Sequence, residues 1–322
     1  MLLSSREAAE KIAAGRRLAI AGDEALLARL PKGDWVGGTI PYFMAEDGGR
    51  VTKDLVFIHD LTEHTLGATI KSYDVADLPK INVDAPEHGF ALVIIPANTR
   101  AHLSYAQDAP NYPGFFMKPI VGWISGVHMD DMGRVSPKVF DGSTGESLRE
   151  KAVVMHLPID AGKNAIIKIL NLFRQGEGDT ISFPGDGFDF KTCLVNGVER
   201  GFAEYLKENR VDIRLPLVAN YCGVMVNSSF WGIREDDGTV NLTTPVIRGV
   251  EYKISAPVGD YIDDFNKALP KDASPVFACN CYLNFLYAGL EGRVVEKMAG
   301  PITFGEIAYQ LLSQTLVYLE IG

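Results

Sequence analysis

Residues 90–97 read FALVIIPA, close to the longest uninterrupted apolar stretch in the chain. The run is far too short to cross a bilayer as a helix, which takes about 20 apolar residues. A short continuous apolar run is the mark of a strand covered on both faces. Next comes TRAHLSYAQ (99–107), read as a helix capped by Asn98 or Thr99. KPIVGWISG (118–126), RVSPKVFDG (134–142) and KAVVMHLPI (151–159) are strands separated by turns. Upstream, DWVGGTIPYF (34–43) and VTKDLVFIHD (51–60) read as a hairpin about the turn Asp47-Gly48-Gly49, and LGATIKSYDV (66–75) has β character. In residues 1–30, Arg6, Glu7, Glu10 and Lys11 interrupt the apolar positions at helical spacing. That predicts one or two amphipathic helices ended by Pro31 and Gly33, and no secretory leader.

The segment PIDAGKN (158–164) is polar, holds both proline and glycine, and marks the expected boundary between lobes 1–160 and 161–322. Beyond it lie strands at AIIKILNLF (165–173) and FDFKTCLVNG (188–197), and a helix at GFAEYLKEN (201–209). Two apolar stretches flank Glu235-Asp236-Asp237-Gly238 as the clearest hairpin in the chain. An amphipathic helix at 258–269 and strands near 275–280, 301–310 and 314–322 complete the chain. The expected fold class is α/β, of the mixed α+β kind: two lobes of mixed, largely antiparallel sheet covered by helices.

A chain of 322 residues exceeds what one core usually serves. Its 41 acidic against 31 basic residues give a net charge of −10, which repels phosphate backbones and anionic lipid, so neither nucleic acid nor membrane is an expected partner. The four cysteines, Cys193, Cys222, Cys279 and Cys281, are sparse and mostly in apolar stretches, as reduced thiols in a cytoplasm would be.

Catalytic signatures are missing. There is no phosphate loop, no dinucleotide fingerprint and no H-E-x-x-H. Gly122-Trp123-Ile124-Ser125-Gly126 has the wrong spacing for a nucleophile elbow. Cys279 and Cys281 lie two apart, on one face of a strand, without a second ligand pair at zinc spacing. His128, Asp130 and Asp131 read first as a solvated turn. His59, Asp60, Glu63 and His64 read as surface neighbours on a helical turn. No catalytic residue, cofactor or metal is therefore expected. The aromatics near strand ends, among them Tyr42, Trp123 and Tyr309, suit a pocket wall, although each singly is more often core.

Several segments in order resemble the FIST family of intracellular sensory domains: WVGGTIPYF, FALVIIPA, KPIVGWISG, RVSPKVFDG and KAVVMHL in the first half, then TCLVNG, PVFACN with Cys279, PITFGEIAYQ with Gly305, Glu306 and Ile307, and SQTLVYL with Gln314 and Thr315. The resemblance implies a cytoplasmic sensor that binds a small molecule, an amino acid or related metabolite, and signals to a separate protein partner, with a homo-oligomer left open. The ligand is expected near Glu306, Tyr309 and Cys279, closed by Tyr42 or Trp123 from the other lobe. Alternatives are an enzyme using Cys279 or the His128 cluster, and an interaction scaffold using the helix face of Ala8, Ala9, Ile12 and Leu18.

Overall fold

In the computed structural model, which describes residues 1–322, Gly89–Pro96 is a strand with all 8 residues buried. It runs parallel to Ile120–Ser125 and antiparallel to Ala152–Pro158. The parallel pair needs glycine at position 122, because a Cβ there would lie 1.8 Å from the Val93 carbonyl oxygen. The helix Arg100–Asp108 is the crossover between these strands, and its Thr99 cap accepts the His102 N–H at 3.2 Å. Thr69–Tyr73 closes one edge of this sheet, and Glu306–Ala308 with Gln310–Leu312 closes the other.

A second six-stranded sheet orders Leu2–Leu3, Val56–Asp60, Leu18–Gly22, Trp35–Thr39, Val139–Asp141 and Glu146–Leu148. A third orders Ala165–Leu170, Leu316–Ile321, Phe277–Cys281, Gly300–Thr303, Tyr42–Ala45 and Gly48–Val51. Two sheets thus join strands from the two sequence halves: Gly300 pairs with Met44, and Glu306 with Trp123. One core of 40 buried residues, from Ala19 to Leu319, draws on both. The segment 158–164 separates the halves in sequence but not in hydrogen bonding.

Residues 181–254 form an inserted unit with its own two sheets and its own core of 15 buried residues, running from Ile181 to Tyr252. Its neck is a short antiparallel ladder: Gly176 N–H donates to Ile254 O at 3.0 Å, and Ala256 N–H to Arg174 O at 2.9 Å. The hairpin expected about 235–238 is present here, with Phe230–Ile233 against Val240–Val246.

The fold class stands as expected: seven helices and five mostly antiparallel sheets. Three local readings are corrected. The first helix stops at Ala13, because Gly15 takes φ 72, and LAIAG (18–22) is a fully buried strand rather than more helix. The segment 51–60 does not close a hairpin with 34–43. Tyr42–Ala45 instead turns tightly onto Gly48–Val51, and Val56–Asp60 pairs with Leu18–Gly22. His59 is 8% exposed on that strand and bonds Ala278 O at 3.0 Å, so it makes no surface pair with Glu63. Ala8, Ile12 and Leu18 are packed in a core of this chain.

Two consequences are measurable. Gly122→Ala should lower stability by about 3 kcal/mol or more, beyond the usual range for a point change, read as a fall in the urea midpoint. An unchanged midpoint would contradict the close parallel pairing. His59, His102 and His156 are held neutral by burial, with pKa values lowered to about 3, about 4 and about 4. Their contribution to stability is complete above the unfolded value of about 6.5 and is lost as pH falls toward 4. A melting temperature that did not fall between pH 7 and pH 4.5 would argue against three buried neutral imidazoles.

Candidate functional site

Ser313, Gln314 and Thr315 connect the strand Gln310–Leu312 of one sheet to Leu316–Ile321 of another, and each is 2% exposed. Gln314 makes the turn at φ 49. A buried polar segment is tolerated where it is hydrogen-bonded, and all three side chains here make hydrogen bonds. Ser313 Oγ shares hydroxyl bonds with Ser229 at 2.5 Å and Thr243 at 2.7 Å. Asn227 Nδ2 donates to Ser313 O at 3.1 Å and to Asn171 Oδ1 at 3.0 Å, and Asn171 returns a bond to Asn227 Oδ1. Gln314 Nε2 donates to Arg214 O at 3.0 Å. Thr315 Oγ1 and N–H both donate to Glu306 Oε2, at 2.8 and 3.2 Å. Cys281 N–H and Asn284 Nδ2 donate to Thr315 O. The three residues form a polar seam, with the inserted unit on one side and the body of the protein on the other.

Of the five residues singled out in the sequence, three come together at this seam's inner side. Glu306 is fully buried opposite Trp123 in the ladder, and burial raises its carboxyl to about 8 against the hydrogen bonds of Thr315. Cys279 Sγ faces Gly122 O at 3.4 Å, and Trp123 stacks on Phe277 with centroids 5.8 Å apart. Tyr42 belongs to the same core as Cys279 and Trp123, its ring 4.7 Å from Tyr282 and its hydroxyl accepting Met129 N–H. Tyr309 lies apart, its ring 4.9 Å from Phe116 and its carbonyl bonded by Tyr105. None of the five lines any of the three clefts described next.

A cleft of about 520 Å³ lies beside the seam. Asp212 and Arg214 come from the inserted unit; Asp260, Tyr261, Asn284 and Arg293 come from the body, and Gln314 from the seam. Arg214 forks onto Asp212 at 2.9 and 2.7 Å, and Arg293 holds Asp260 at 3.1 Å. The guanidinium of Arg214 holds the Asp212 carboxyl below its ordinary value. The Asp263 backbone N–H, then Arg293, do so for Asp260. Two positive and two negative groups leave the cleft dipolar with no net charge. Asn284 Nδ2 is used by Asn280 Oδ1 and Thr315 O, and Gln314 Nε2 by Arg214 O, which fixes both amide orientations. The two amide oxygens are then left buried with no protein partner. These are acceptors waiting for a donor.

A larger cleft of about 610 Å³ lies at the carboxyl ends of Leu18–Gly22, Trp35–Thr39 and Ile120–Ser125. Two ion pairs lie at its wall: Lys53 pairs with Asp131, and Glu24 with Lys138. His128 lines it, but its Nδ1 accepts Asp130 N–H and its ring stacks on Tyr42. A third cleft, of about 240 Å³, is aromatic and contains His102.

Burial pushes the thiols of Cys279 and Cys281 well above their ordinary value, and Cys193 up to about 11, so none is a thiolate at neutral pH. No three His, Cys, Asp or Glu side chains are grouped to hold a metal ion. No helix is long and apolar enough to cross a membrane. Sequence reading missed Asp212, Arg214, Asp260, Asn284 and Arg293. Asp260 and Arg293 are 33 residues apart, and only folding brings them together.

A family model described as a family of unknown function, DUF6976, matches residues 3–322, so the chain belongs to that family. The match overturns the FIST resemblance: no FIST model matches, and the short motifs that carried it, such as F-G-E-I at 304–307, are ordinary turn-and-strand sequences here. No curated protein matches the chain.

In the native protein, iodoacetamide should modify Cys222 alone, the one exposed thiol; rapid labelling of Cys279 would contradict the burial described. Glu306 binds its proton more tightly folded than unfolded, so its contribution to stability declines as pH rises from 4.5 to about 8. Glu306→Gln keeps an acceptor for Thr315 and removes that decline. Between pH 5 and 7 the variant should gain on the parent by roughly 1.4 kcal/mol per pH unit, and a difference constant with pH would refute a buried neutral carboxyl.

Proposed function

We propose that the protein binds a small zwitterion of the amino-acid type in the cleft between Arg214 and Arg293. The observation that carries this reading is the pair of buried, unpartnered amide oxygens of Asn284 and Gln314, beside two guanidinium–carboxylate pairs. An ammonium group donates to the amide oxygens and is drawn to Asp260 or Asp212. A carboxylate meets the free N–H groups of either arginine. The zero net charge of the cleft disfavours polyanions such as nucleotides. A ligand that touches Arg214 and Arg293 at once ties the inserted unit to the body, so its binding energy acts on their relative arrangement. A sensor that reports to a separate cytoplasmic partner needs this coupling, and so does a carrier.

The test is a thermal-shift screen with free amino acids, their N-acetyl and ester derivatives, and simple dicarboxylates. A ligand at 100 times its dissociation constant adds about 2.7 kcal/mol. Free amino acids should stabilise the parent, neither blocked form should, and Arg293→Ala and Asn284→Ala should abolish the shift. Equal shifts from blocked and free forms, or silence from every amino acid, would overturn the proposal.

A further inference from the structure

The third cleft is built from five separate elements. Phe188 comes from the strand Gly187–Phe190, Trp231 from Phe230–Ile233, and Asn241 from Val240–Val246. His102 lies on the helix Arg100–Asp108, and Phe304 follows Gly300–Thr303. The first three belong to the inserted unit and the last two to the body, so this cleft, like the 520 Å³ one, borders both. Trp231 and Phe304 face one another with centroids 6.1 Å apart, and Phe188 lies 6.5 Å from the His102 ring.

His102 supplies the polar end. It is 7% exposed, and its Nδ1 accepts the Asn98 N–H at 3.2 Å. That bond puts the ring proton on Nε2, which is buried and has no protein partner. Burial lowers its pKa to about 4, so the ring is neutral near pH 7. Nε2–H is then a single donor facing an aromatic slot. At the rim, Asp189 holds Asn241 Nδ2 at 2.6 Å and keeps its second oxygen as an acceptor. No lysine or arginine lines the cleft, so it offers nothing to a phosphate or a second carboxylate.

From this geometry we infer a second ligand site, separate from the zwitterion cleft, that takes an uncharged planar nitrogen heterocycle the size of a free nucleobase. The ring lies against Trp231 and Phe304, a ring nitrogen or carbonyl accepts from His102 Nε2–H, and a ring N–H donates to Asp189. The buried His102 donor and the second Asp189 oxygen are then both used, one as donor and one as acceptor. A hydrocarbon ring leaves them unpaired, and a nucleotide brings a phosphate that meets no cation.

Trp231 is 42% exposed while Trp35 and Trp123 are buried, so its fluorescence reports on the slot. The probes are adenine, cytosine, uracil and benzimidazole, with naphthalene-2-sulfonate and AMP as controls. At least one of the four heterocycles should quench saturably, and neither control should do so comparably. By calorimetry, His102→Phe should weaken that binding about tenfold, the loss of one buried hydrogen bond. Trp231→Ala, an exposed position that leaves folding intact, should weaken it at least as much. Arg293→Ala should leave it unchanged, which separates this site from the zwitterion cleft. Absence of saturable binding by all four heterocycles would overturn the inference. So would binding that survives Trp231→Ala, or that is lost in Arg293→Ala instead.

Discussion

The hydrogen bonds of Ser313, Gln314 and Thr315 hold the molecule's parts in register. A buried hydroxyl or amide left unpaired costs about 1–3 kcal/mol, so these side chains dictate what stands opposite them. Ser313 requires the hydroxyls of Ser229 and Thr243, Gln314 requires the carbonyl of Arg214, and Thr315 requires the carboxyl of Glu306. The first three of those partners sit on the inserted unit and its loops, the last on the body. An apolar interface would tolerate sliding between the two; this one specifies a single arrangement.

Both of the clefts with buried unpartnered polar groups open along the same border. The zwitterion cleft takes Arg214 from one side and Arg293 from the other, and the aromatic slot takes Trp231 from one side and His102 from the other. Clefts between structural units are common places for small ligands, and here the seam supplies Gln314 directly to the first and holds Thr243 at the wall of the second. Glu306 acts one layer deeper. Kept neutral by burial, it anchors Thr315, whose carbonyl in turn orients the Asn284 amide. Its influence on a ligand in the cleft is through position rather than contact.

Local pattern was legible and long-range pairing was not. FALVIIPA announced a strand buried on both faces because its period and length admit little else, and the Asn98-Thr99 pair announced the helix that follows, with Thr99 as the cap in the fold. LAIAG escaped because the apolar spacing before it is helical and the stop is a single glycine at position 15. The sharing of sheets between Tyr42–Ala45 and Gly300–Thr303 leaves no trace in either segment, since a strand's pattern shows which face is buried and not which strand lies beside it. The insertion of 181–254 was hidden for the same reason. Glu306 was singled out only through the FIST-like motif, and its burial and its bonds to Thr315 show only in the fold; the arginines of the cleft look like ordinary surface residues until the chain folds.

The central claim, that the polar seam couples the inserted unit to the body, is tested most directly by hydrogen exchange in Asn227→Ala. The variant removes the amide that bridges Asn171 and Ser313 but touches neither core. If the seam is the coupling, amides of the strands at 217–228 and 240–246 lose protection selectively, while those of Gly89–Pro96 and Ile120–Ser125 keep theirs. Protection unchanged in 217–246, or lost equally everywhere, would contradict the account.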